Sequence, residues 1–562
     1  MSKIVHLAEA QIKEIIQNAV GQAIQNGELP DGELPAFHVE IPADRSHGDY
    51  ASNAAMAGAK VFRRAPVQIA QALCRNMHFE NTYITKCEIA GPGFLNFTLS
   101  DRYYSDILRD AAMCGENYGR SDFGKSQKIL VEFVSANPTG PMHIGNARGG
   151  ALGDCLASVL DAAGYTVSRE FYVNDAGNQI EKFKTSLEAR YLQLFDPTVT
   201  MPEDAYLGED IIEHAKAFAA IHKDAYVQKS SKERQNALCD FALPKNIAKL
   251  QSDLAKYRIT YDTWFKESEL HNSGAVKEII QKLIDSGHTY TQDGALWFKS
   301  TDFGEDKDRV LVRANGIPTY FVPDIAYHYN KLVTRGFDIA IDVLGADHHG
   351  YVPRMRAALQ ALGIDPQRLD VVIMQMVRLI KNGETYKLSK RSGKAITLET
   401  LLDEVPIDAA RMFFNLREPN SHLEFDLDLA VSENAQNPVY YVQYAHARIC
   451  SIIRKLESEG ICVPEPEKLN LDALQAPEER ELIRHIGAYT GQIITAARDY
   501  NPAVITRYAI DLATLFHKFY NACPVKSASP DLRDARLFLC NVTKSVIKNV
   551  LTLLKITAPE SM

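Results

Sequence analysis

The chain has 562 residues, of which 46% are hydrophobic and 24% charged, and its formal net charge is −9. This length predicts several domains and excludes a single small binding module, while the composition excludes extensive disorder. No run approaches the roughly 20 apolar residues of a membrane span. Nine scattered cysteines without a CxxC pair fit neither a disulfide framework nor a thiolate zinc site. We therefore expect a cytoplasmic protein that enters no membrane and holds no structural metal.

The distribution of charge is more informative than its sum. A negative net charge by itself disfavours nucleic acid as a partner, but binding depends on where the charges lie. Residues 501–562 contain eight Lys and Arg against four Asp and Glu. The C-terminal end is therefore a candidate basic surface.

Residues 1–120 are predicted to form a small α+β domain. The chain begins with an amphipathic helical pattern, and an alanine-rich helical stretch and three strand-like runs follow. The helical stretch is Tyr50–Val61, and the strand-like runs are Phe37–Ile41, Tyr83–Ile89 and Phe94–Leu99.

A parallel α/β core is predicted to begin at Lys128–Val134, because a continuous run of β-branched and aromatic residues is typical of a strand buried on both faces. A helical pattern at Ala151–Ala163 and a strand candidate at Thr166–Val173 complete a β–loop–α–β unit. Residues 186–290 are mainly helical and charged, which indicates an insertion. Strand patterns resume at Ala295–Phe298, Val310–Arg313 and Ile339–Gly345. The core is therefore split in sequence.

The last part of the chain is predicted to be a helical bundle. Its long amphipathic patterns are Tyr440–Leu456, Glu478–Tyr500, Ala503–Tyr520 and Asp534–Leu554. The predicted fold is a multidomain α/β protein with a Rossmann-like parallel-sheet core, a helical insertion, an N-terminal α+β domain and a C-terminal all-α bundle. The predicted boundaries are 1–120, 121–185, 186–290, 291–380, 381–430 and 431–562.

The segment NPTGPMHIGNARGG (Asn137–Gly150) follows the first core strand and opens a helix, a position that suits phosphate binding. Gly140 and Gly145 permit close approach of the backbone to a ligand. His143 and Asn146 are three residues apart, so both project from one side of the first helical turn. Both side chains can donate hydrogen bonds to phosphate oxygens.

A second basic segment, YKLSKRSGK (Tyr386–Lys394), contains four cations in nine residues. Alone, it is more typical of a solvated surface loop. In this order around a split α/β core, however, the two segments resemble the ATP-binding signatures of class I aminoacyl-tRNA synthetases.

That resemblance implies ATP with Mg²⁺ as a substrate complex. It implies that His143, Asn146 and Lys390 stabilise the charge that develops when pyrophosphate leaves, and that Lys387 and Ser389 also bind ATP. The class has a histidine where this chain has Asn146. We therefore expect retained hydrogen bonding to phosphate with a different pH dependence.

Further segments narrow the resemblance to the arginyl-tRNA synthetase family, and together they cover essentially the whole chain. They include HGDYASNAAM (His47–Met56), REFYVNDAGNQ (Arg169–Gln179), DKDRVLVRANGIPTYFVPDIAYH (Asp306–His328), LGADHHGYVPRM (Leu344–Met355) and NPVYYVQYAHARI (Asn437–Ile449). The resemblance implies activation of L-arginine by ATP and its transfer to the 3′-terminal ribose of tRNA(Arg), at the 2′-hydroxyl. It also implies that activation depends on bound tRNA.

A guanidinium needs carboxylates placed for bidentate pairing. The resemblance assigns Glu132, Tyr320 and Asp324 to this role. Asn137 and His143 match positions that bind the backbone groups of the amino acid. Ser135 and Asp347 are further arginine-binding candidates. His348 and His349 stand beside Asp347, but no second ligand cluster has metal-site spacing, so metal ligation is disfavoured.

The start of the helical domain contains Tyr440, Tyr441 and Tyr444 beside Arg448. Aromatic rings beside cations suit unstacked anticodon bases, although tyrosines at this spacing also pack along one helix face. We expect a monomeric enzyme. Two alternatives remain open: a non-catalytic RNA-binding paralogue, and a class I synthetase for another amino acid.

Overall fold

The structure is a computed structural model that describes residues 3–42, 44–348, 350–386 and 396–562. The N-terminal part combines four helices with a four-stranded antiparallel sheet of order β1-β2-β4-β3. Its elements are α1 (Lys3–Gln25), β1 (Val39–Glu40), β2 (Tyr50–Ser52), α2 (Ala54–Phe62), α3 (Pro66–Arg75), β3 (Ile84–Ala90), β4 (Phe94–Leu99) and α4 (Asp101–Cys114).

The structure corrects the prediction of helix from Tyr50. Tyr50, Ala51 and Ser52 form a strand that pairs with Leu95–Phe97, and the helix begins only after Asn53. All three strand residues are buried, so cross-strand pairing outweighs the helical preference of the alanine-rich segment that follows.

The central part is an α/β core with a five-stranded parallel sheet of order β12-β11-β5-β6-β7. Its elements are β5 (Lys128–Glu132), α5 (Ile144–Ala162), β6 (Thr166–Val173), α6 (Gly177–Gln193), α7 (Glu209–His222), α8 (Ser231–Lys256), β7 (Thr263–Lys266), α9 (Glu267–Asn272), α10 (Ala275–Asp285), β8 (Thr289–Gln292), β9 (Ala295–Phe298), β10 (Arg309–Val312), α11 (Phe321–Tyr329), β11 (Ile339–Gly345), α12 (Tyr351–Ala361) and β12 (Leu369–Met374). The predicted Rossmann-like core is confirmed.

Two details differ from the expected path of the chain. The range 186–290 also contains β7, which joins the edge of the parallel sheet beside β6. The strands β8, β9 and β10 form a separate antiparallel sheet instead of joining the parallel one. The place of β7 depends on a partner about 90 residues earlier in the chain, which the local pattern does not contain. β8, β9 and β10 instead pair with their neighbours in the chain, and β8 and β9 are joined by the two residues Asp293 and Gly294.

After the core, the chain forms a small three-stranded sheet and then a helical bundle. These elements are β13 (Val377–Lys381), β14 (Glu384–Thr385), α13 (Leu398–Glu404), α14 (Ile407–Phe414), β15 (Leu423–Asp426), α15 (Leu427–Val431), α16 (Pro438–Ser458), α17 (Pro477–Arg498), α18 (Ala503–Ala522) and α19 (Pro530–Leu553). The bundle contacts both other parts. Arg484 lies 2.8 Å from Asp49 in the N-terminal part, and the hydroxyl of Tyr500 donates to the carboxylate of Asp370 in β12 at 2.8 Å.

Candidate active site

A cavity of about 1010 Å³ opens at the carboxyl ends of β5, β6 and β11. In an open parallel sheet this edge is where ligands bind. The cavity brings together most of the residues predicted for arginine and ATP. Those that line it are Glu132, Ser135, Asn137, His143, Gly145, Asn146, Tyr320, Asp324 and Asp347. Gly140 is not among the lining residues, and Lys387, Ser389 and Lys390 lie outside the described residues.

The turn after β5 shapes one end of the cavity. Val134 and Ser135 have φ values of 70° and 38°, in the left-handed region that a β-branched residue rarely adopts. This turn lets the Ser135 hydroxyl donate to Glu132 Oε1 at 2.8 Å and accept from the Tyr172 amide at 3.1 Å. The strained turn therefore fixes the orientation of the Glu132 carboxylate.

The N-terminus of α5 is organised by a reciprocal cap. His143 Nδ1 accepts from the Gly145 amide at 3.1 Å, and Asn146 Oδ1 accepts from the His143 amide at 3.0 Å. A Cβ at Gly145 would lie 3.0 Å from the His143 ring, so a side chain there would force the ring to shift and disturb the cap.

The cap also determines the chemistry of His143. Burial lowers the pKa of His143, which favours the neutral ring at physiological pH. Because Nδ1 accepts a hydrogen bond, the neutral ring carries its proton on Nε2. The site therefore presents an uncharged Nε2–H donor at the positive end of the α5 dipole, an arrangement suited to an anionic ligand.

Asp324 of α11 is an acid of the cavity whose pKa is strongly raised. Burial raises its pKa to about 7, the nearby Glu267 and Glu132 carboxylates act in the same direction, and His328 and Lys331 only partly offset them. Within the described residues, no group donates a hydrogen bond to its carboxyl. A cationic ligand group is therefore the partner that this carboxyl lacks.

Three families match the chain. The N-terminal domain of arginyl-tRNA synthetase matches residues 10–99, the catalytic domain of class I tRNA synthetases (R) matches residues 109–453, and the DALR anticodon-binding domain matches residues 442–562. The chain belongs to the arginyl-tRNA synthetase family. The catalytic-domain match alone spans more than half of the chain.

Curated relatives are similar to this synthetase over their full length. The arginine–tRNA ligase of Acetivibrio thermocellus is 52% identical over 100% of both chains, and that of Caldanaerobacter subterraneus is 53% identical over 100% of both. The solved arginyl-tRNA synthetase of Thermus thermophilus has the same fold, with a TM-score of 0.74 at 23% identity, covering 98% of this chain and 100% of that one.

Several residues of the synthetase cavity were not predicted from the sequence. Tyr172, His328 and Asp342 line it, and the fully buried Lys331 lies behind Glu132. A signal was present in the sequence, since Asp342 is the only charged residue in the otherwise apolar strand IAIDVLG. Its partners His328 and Lys331 could not be identified without the fold.

A second cavity, of about 410 Å³, lies on α16 and α18. We call it the aromatic pocket; its lining residues are Ala435, Tyr440, Tyr441, Tyr444, Arg448, His517 and Asn521. The Tyr440 and Tyr444 rings are nearly parallel, with centroids 6.3 Å apart, and the Tyr441 ring lies 5.1 Å from that of His517. His517 and Asn521 were not predicted, because only the packing of α18 on α16 brings them there.

The described part of the chain contains neither a membrane-spanning helix nor a cluster of metal-ligating side chains. Within residues 3–42, 44–348, 350–386 and 396–562, no helix has both the length and the apolar character of a membrane span. Over the same ranges, no three His, Cys, Asp or Glu side chains are grouped as for a metal ion. His349 lies outside these ranges.

Proposed function

We propose that this synthetase activates L-arginine with ATP in the large cavity and transfers it to the 3′-terminal ribose of tRNA(Arg), releasing AMP and pyrophosphate. The observation that carries this proposal is the pairing, in one cavity, of an uncompensated carboxyl at Asp324 with an anion-binding helix terminus at His143. The arginine carboxylate attacks the α-phosphate and pyrophosphate leaves. The ribose hydroxyl then attacks the activated carbonyl.

The arginine end of the cavity is formed by acids and hydroxyls. We propose that Asp324 and Glu132 accept from the guanidinium and that Tyr320 flanks it; Tyr320 is 56% exposed and its hydroxyl accepts from the Asn178 amide at 3.2 Å. Ser135, Asn137 and Asp347 line the same cavity and are proposed contacts of the rest of the amino acid.

The phosphate end is formed by the start of α5. We propose that His143 Nε2 and the Asn146 side chain bind ATP. On the signature resemblance alone, we propose that Gly140 and Gly145 let the phosphates approach the backbone. Lys387, Ser389 and Lys390 are proposed on the signature resemblance alone, with Mg²⁺ bound to the ATP phosphates. Since no covalent enzyme intermediate is needed, these groups act by positioning and by stabilising charge.

Formation of arginyl-tRNA tests this function directly. Protein incubated with ATP, labelled arginine and total tRNA should give acid-precipitable label that mild base releases, as expected for an aminoacyl ester. Absence of such a product would favour the non-catalytic RNA-binding paralogue. Labelling with another amino acid would favour a class I synthetase of different specificity.

Asn146 allows the uncharged cap to be compared with the histidine of the class. We expect Asn146→His to retain kcat within about threefold at pH 8, because a neutral imidazole can also accept from the His143 amide. Below about pH 6.5 the variant should lose rate, since a protonated ring no longer accepts. The measurement is kcat against pH at saturating arginine. A variant without this additional loss would contradict the role of Asn146 in the cap.

The aromatic pocket is proposed to bind the tRNA anticodon. Arg448 lies 4.6 Å from the centroid of the Tyr520 ring, and the exposed Tyr444 ring offers a stacking surface. We expect Tyr444→Ala and Arg448→Ala each to raise the KM for tRNA about tenfold, as for loss of one stacked base, with unchanged KM for ATP and arginine. The matched control is Lys455→Ala, an exposed cation on α16 outside this pocket. Equal effects of Lys455→Ala and Arg448→Ala would contradict the assignment.

We further propose that the enzyme acts as a monomer in the cytoplasm. One chain contains both the catalytic cavity and the aromatic pocket, so a second copy is not needed to complete either. All nine cysteines are free, which is typical of a reducing compartment.

A further inference from the structure

A buried group of ionisable side chains lies behind the arginine end of the cavity. We call Glu132, His328, Lys331 and Asp342 the charge cluster. Lys331 is 0% exposed, and its Nζ lies 2.5 Å from Glu132 Oε2 and 2.8 Å from Asp342 Oδ1. Burial alone would lower the pKa of Lys331, but the Asp342 and Glu132 carboxylates raise it above its ordinary value. Lys331 is therefore a buried ammonium that holds two carboxylates.

His328 is the second side chain of the cluster that contacts Asp342. Its Nε2 lies 2.7 Å from Asp342 Oδ2, and its Nδ1 lies 2.8 Å from the Asp324 carbonyl oxygen. Burial works against ionisation of Asp342, but Lys331 and His328 hold its pKa well below the ordinary value, so this carboxylate accepts. A carbonyl oxygen also only accepts. His328 therefore contacts the Asp342 carboxylate with one ring nitrogen and the Asp324 carbonyl with the other.

Both carboxylates of the charge cluster are thus paired, since Lys331 contacts Glu132 and Asp342, and His328 contacts Asp342. The Asp324 carboxyl lies next to this cluster but outside its pairing. Its ionisation therefore depends on the field of the groups around it. The ionisable groups that act on it are Glu132 of β5, Tyr172 of β6, Glu267 of α9, His328 of α11, Lys331 of the π-helical segment Asn330–Thr334 that continues α11, and Tyr351 of α12.

We propose that Lys331 is a positioning residue for arginine recognition, which fixes the Glu132 carboxylate and cancels its charge so that Asp324 can ionise for the guanidinium. This inference rests on the proposed function, since it assumes that arginine binds in the large cavity. Lys331 does not itself reach the ligand, because it is fully buried and is not among the lining residues. It acts through Glu132, whose second oxygen is already held by Ser135.

Arginine affinity measured against pH distinguishes this role from a merely structural one. We call the pH at which half of the Asp324 carboxyls are ionised, and the affinity is half of its plateau value, the midpoint. Arginine affinity should rise with pH as Asp324 ionises. Loss of the ammonium in Lys331→Met leaves Glu132 uncompensated, so the midpoint should move up by about one unit or more. Affinity should fall about tenfold near neutral pH and approach the wild-type value above the new midpoint. A misplaced Glu132 would instead weaken binding equally at every pH.

Two further variants form a double-mutant cycle with Lys331→Met. They also keep the test valid if Lys331→Met folds poorly. Glu132→Gln removes an anion near Asp324 and should move the midpoint down. The double variant Glu132→Gln with Lys331→Met removes one charge of each sign, so its midpoint should return to within about half a unit of the wild-type value. Its affinity should be lower at every pH, because a proposed contact of the guanidinium is lost.

The experiment is calorimetric titration of the full chain with L-arginine between pH 6 and pH 9, with ATP titrated as a folding control. Opposite midpoint shifts in the single variants and their cancellation in the double variant are the expected result. A midpoint shared by all four proteins overturns the role of Lys331 while leaving arginine binding intact. A wild-type protein that binds ATP but no arginine at any pH contradicts the proposed function instead.

Discussion

Replacement of Asp324 by Asn is expected to raise the KM for arginine about hundredfold or more, while the KM for ATP changes by about twofold at most. The amide keeps the size of the side chain but loses the charge that a guanidinium pairs with. A hundredfold change corresponds to about 2.7 kcal/mol, which is within the range for one charge-assisted contact in a desolvated site. Initial rates of tRNA charging at varied arginine give the comparison.

The pH dependence gives a second measure in the same variant. The pKa of Asp324 is raised to about 7 in the unliganded protein, and arginine pairs with the ionised form. Binding therefore strengthens as pH rises through about 7 and becomes constant above it. Asp324→Asn has no such ionisation and should lose this rise.

The matched control is Asp161→Asn, which makes the same chemical change at an exposed residue of α5 paired with Arg120. It should leave both KM values unchanged. An unchanged arginine KM in Asp324→Asn would remove Asp324 from the pocket, even if the enzyme remained specific for arginine.

Replacement of His143 is expected to lower kcat for adenylate formation by a factor of about 100 to 1000, with a smaller rise in the KM for arginine, because the resemblance also assigns His143 to the backbone groups of the amino acid. The Nε2 proton is positioned by the hydrogen bond between Nδ1 and the Gly145 amide. This donor should matter most when charge develops on the phosphates, so its loss should appear in kcat. ATP–pyrophosphate exchange in the presence of tRNA measures this step.

Two substitutions at this position separate donation to phosphate from capping of the helix. His143→Ala removes both, whereas His143→Asn keeps a side chain that caps helices well. Similar losses in the two variants are expected, because an asparagine cannot place a donor where Nε2 lies. A wild-type rate in His143→Asn would mean that the ring serves only as a cap.

The sequence predicts the elements well where the hydrophobic pattern is strong. The strands Thr166–Val173 and Ile339–Gly345 have the predicted bounds, since apolar runs between polar turns define their own ends. The prediction of helix at Tyr50–Ser52 was wrong, and β7 lies within a range that was predicted to be mainly helical. In both cases the strand pairs with residues that are distant in sequence. Local patterns do not contain such partners.

The sequence likewise does not show which side chains of the candidate site contact one another. Glu132, His143 and Asp324 could be named because they lie in segments that resemble the family. Lys331 was not assigned a role by the resemblance, and the sequence around a single lysine between a helix and a strand does not show whether its side chain is buried. Only the fold places its ammonium between Glu132 and Asp342. The charge cluster therefore became visible only in the structure.

The measurement that tests the central claim most directly is ATP–pyrophosphate exchange with each standard amino acid, with and without total tRNA. Exchange with arginine alone, and only when tRNA is present, is the result that we predict. Exchange with another amino acid would keep the class of enzyme and contradict the arginine pocket. Absence of exchange with every amino acid would contradict the proposed activity itself.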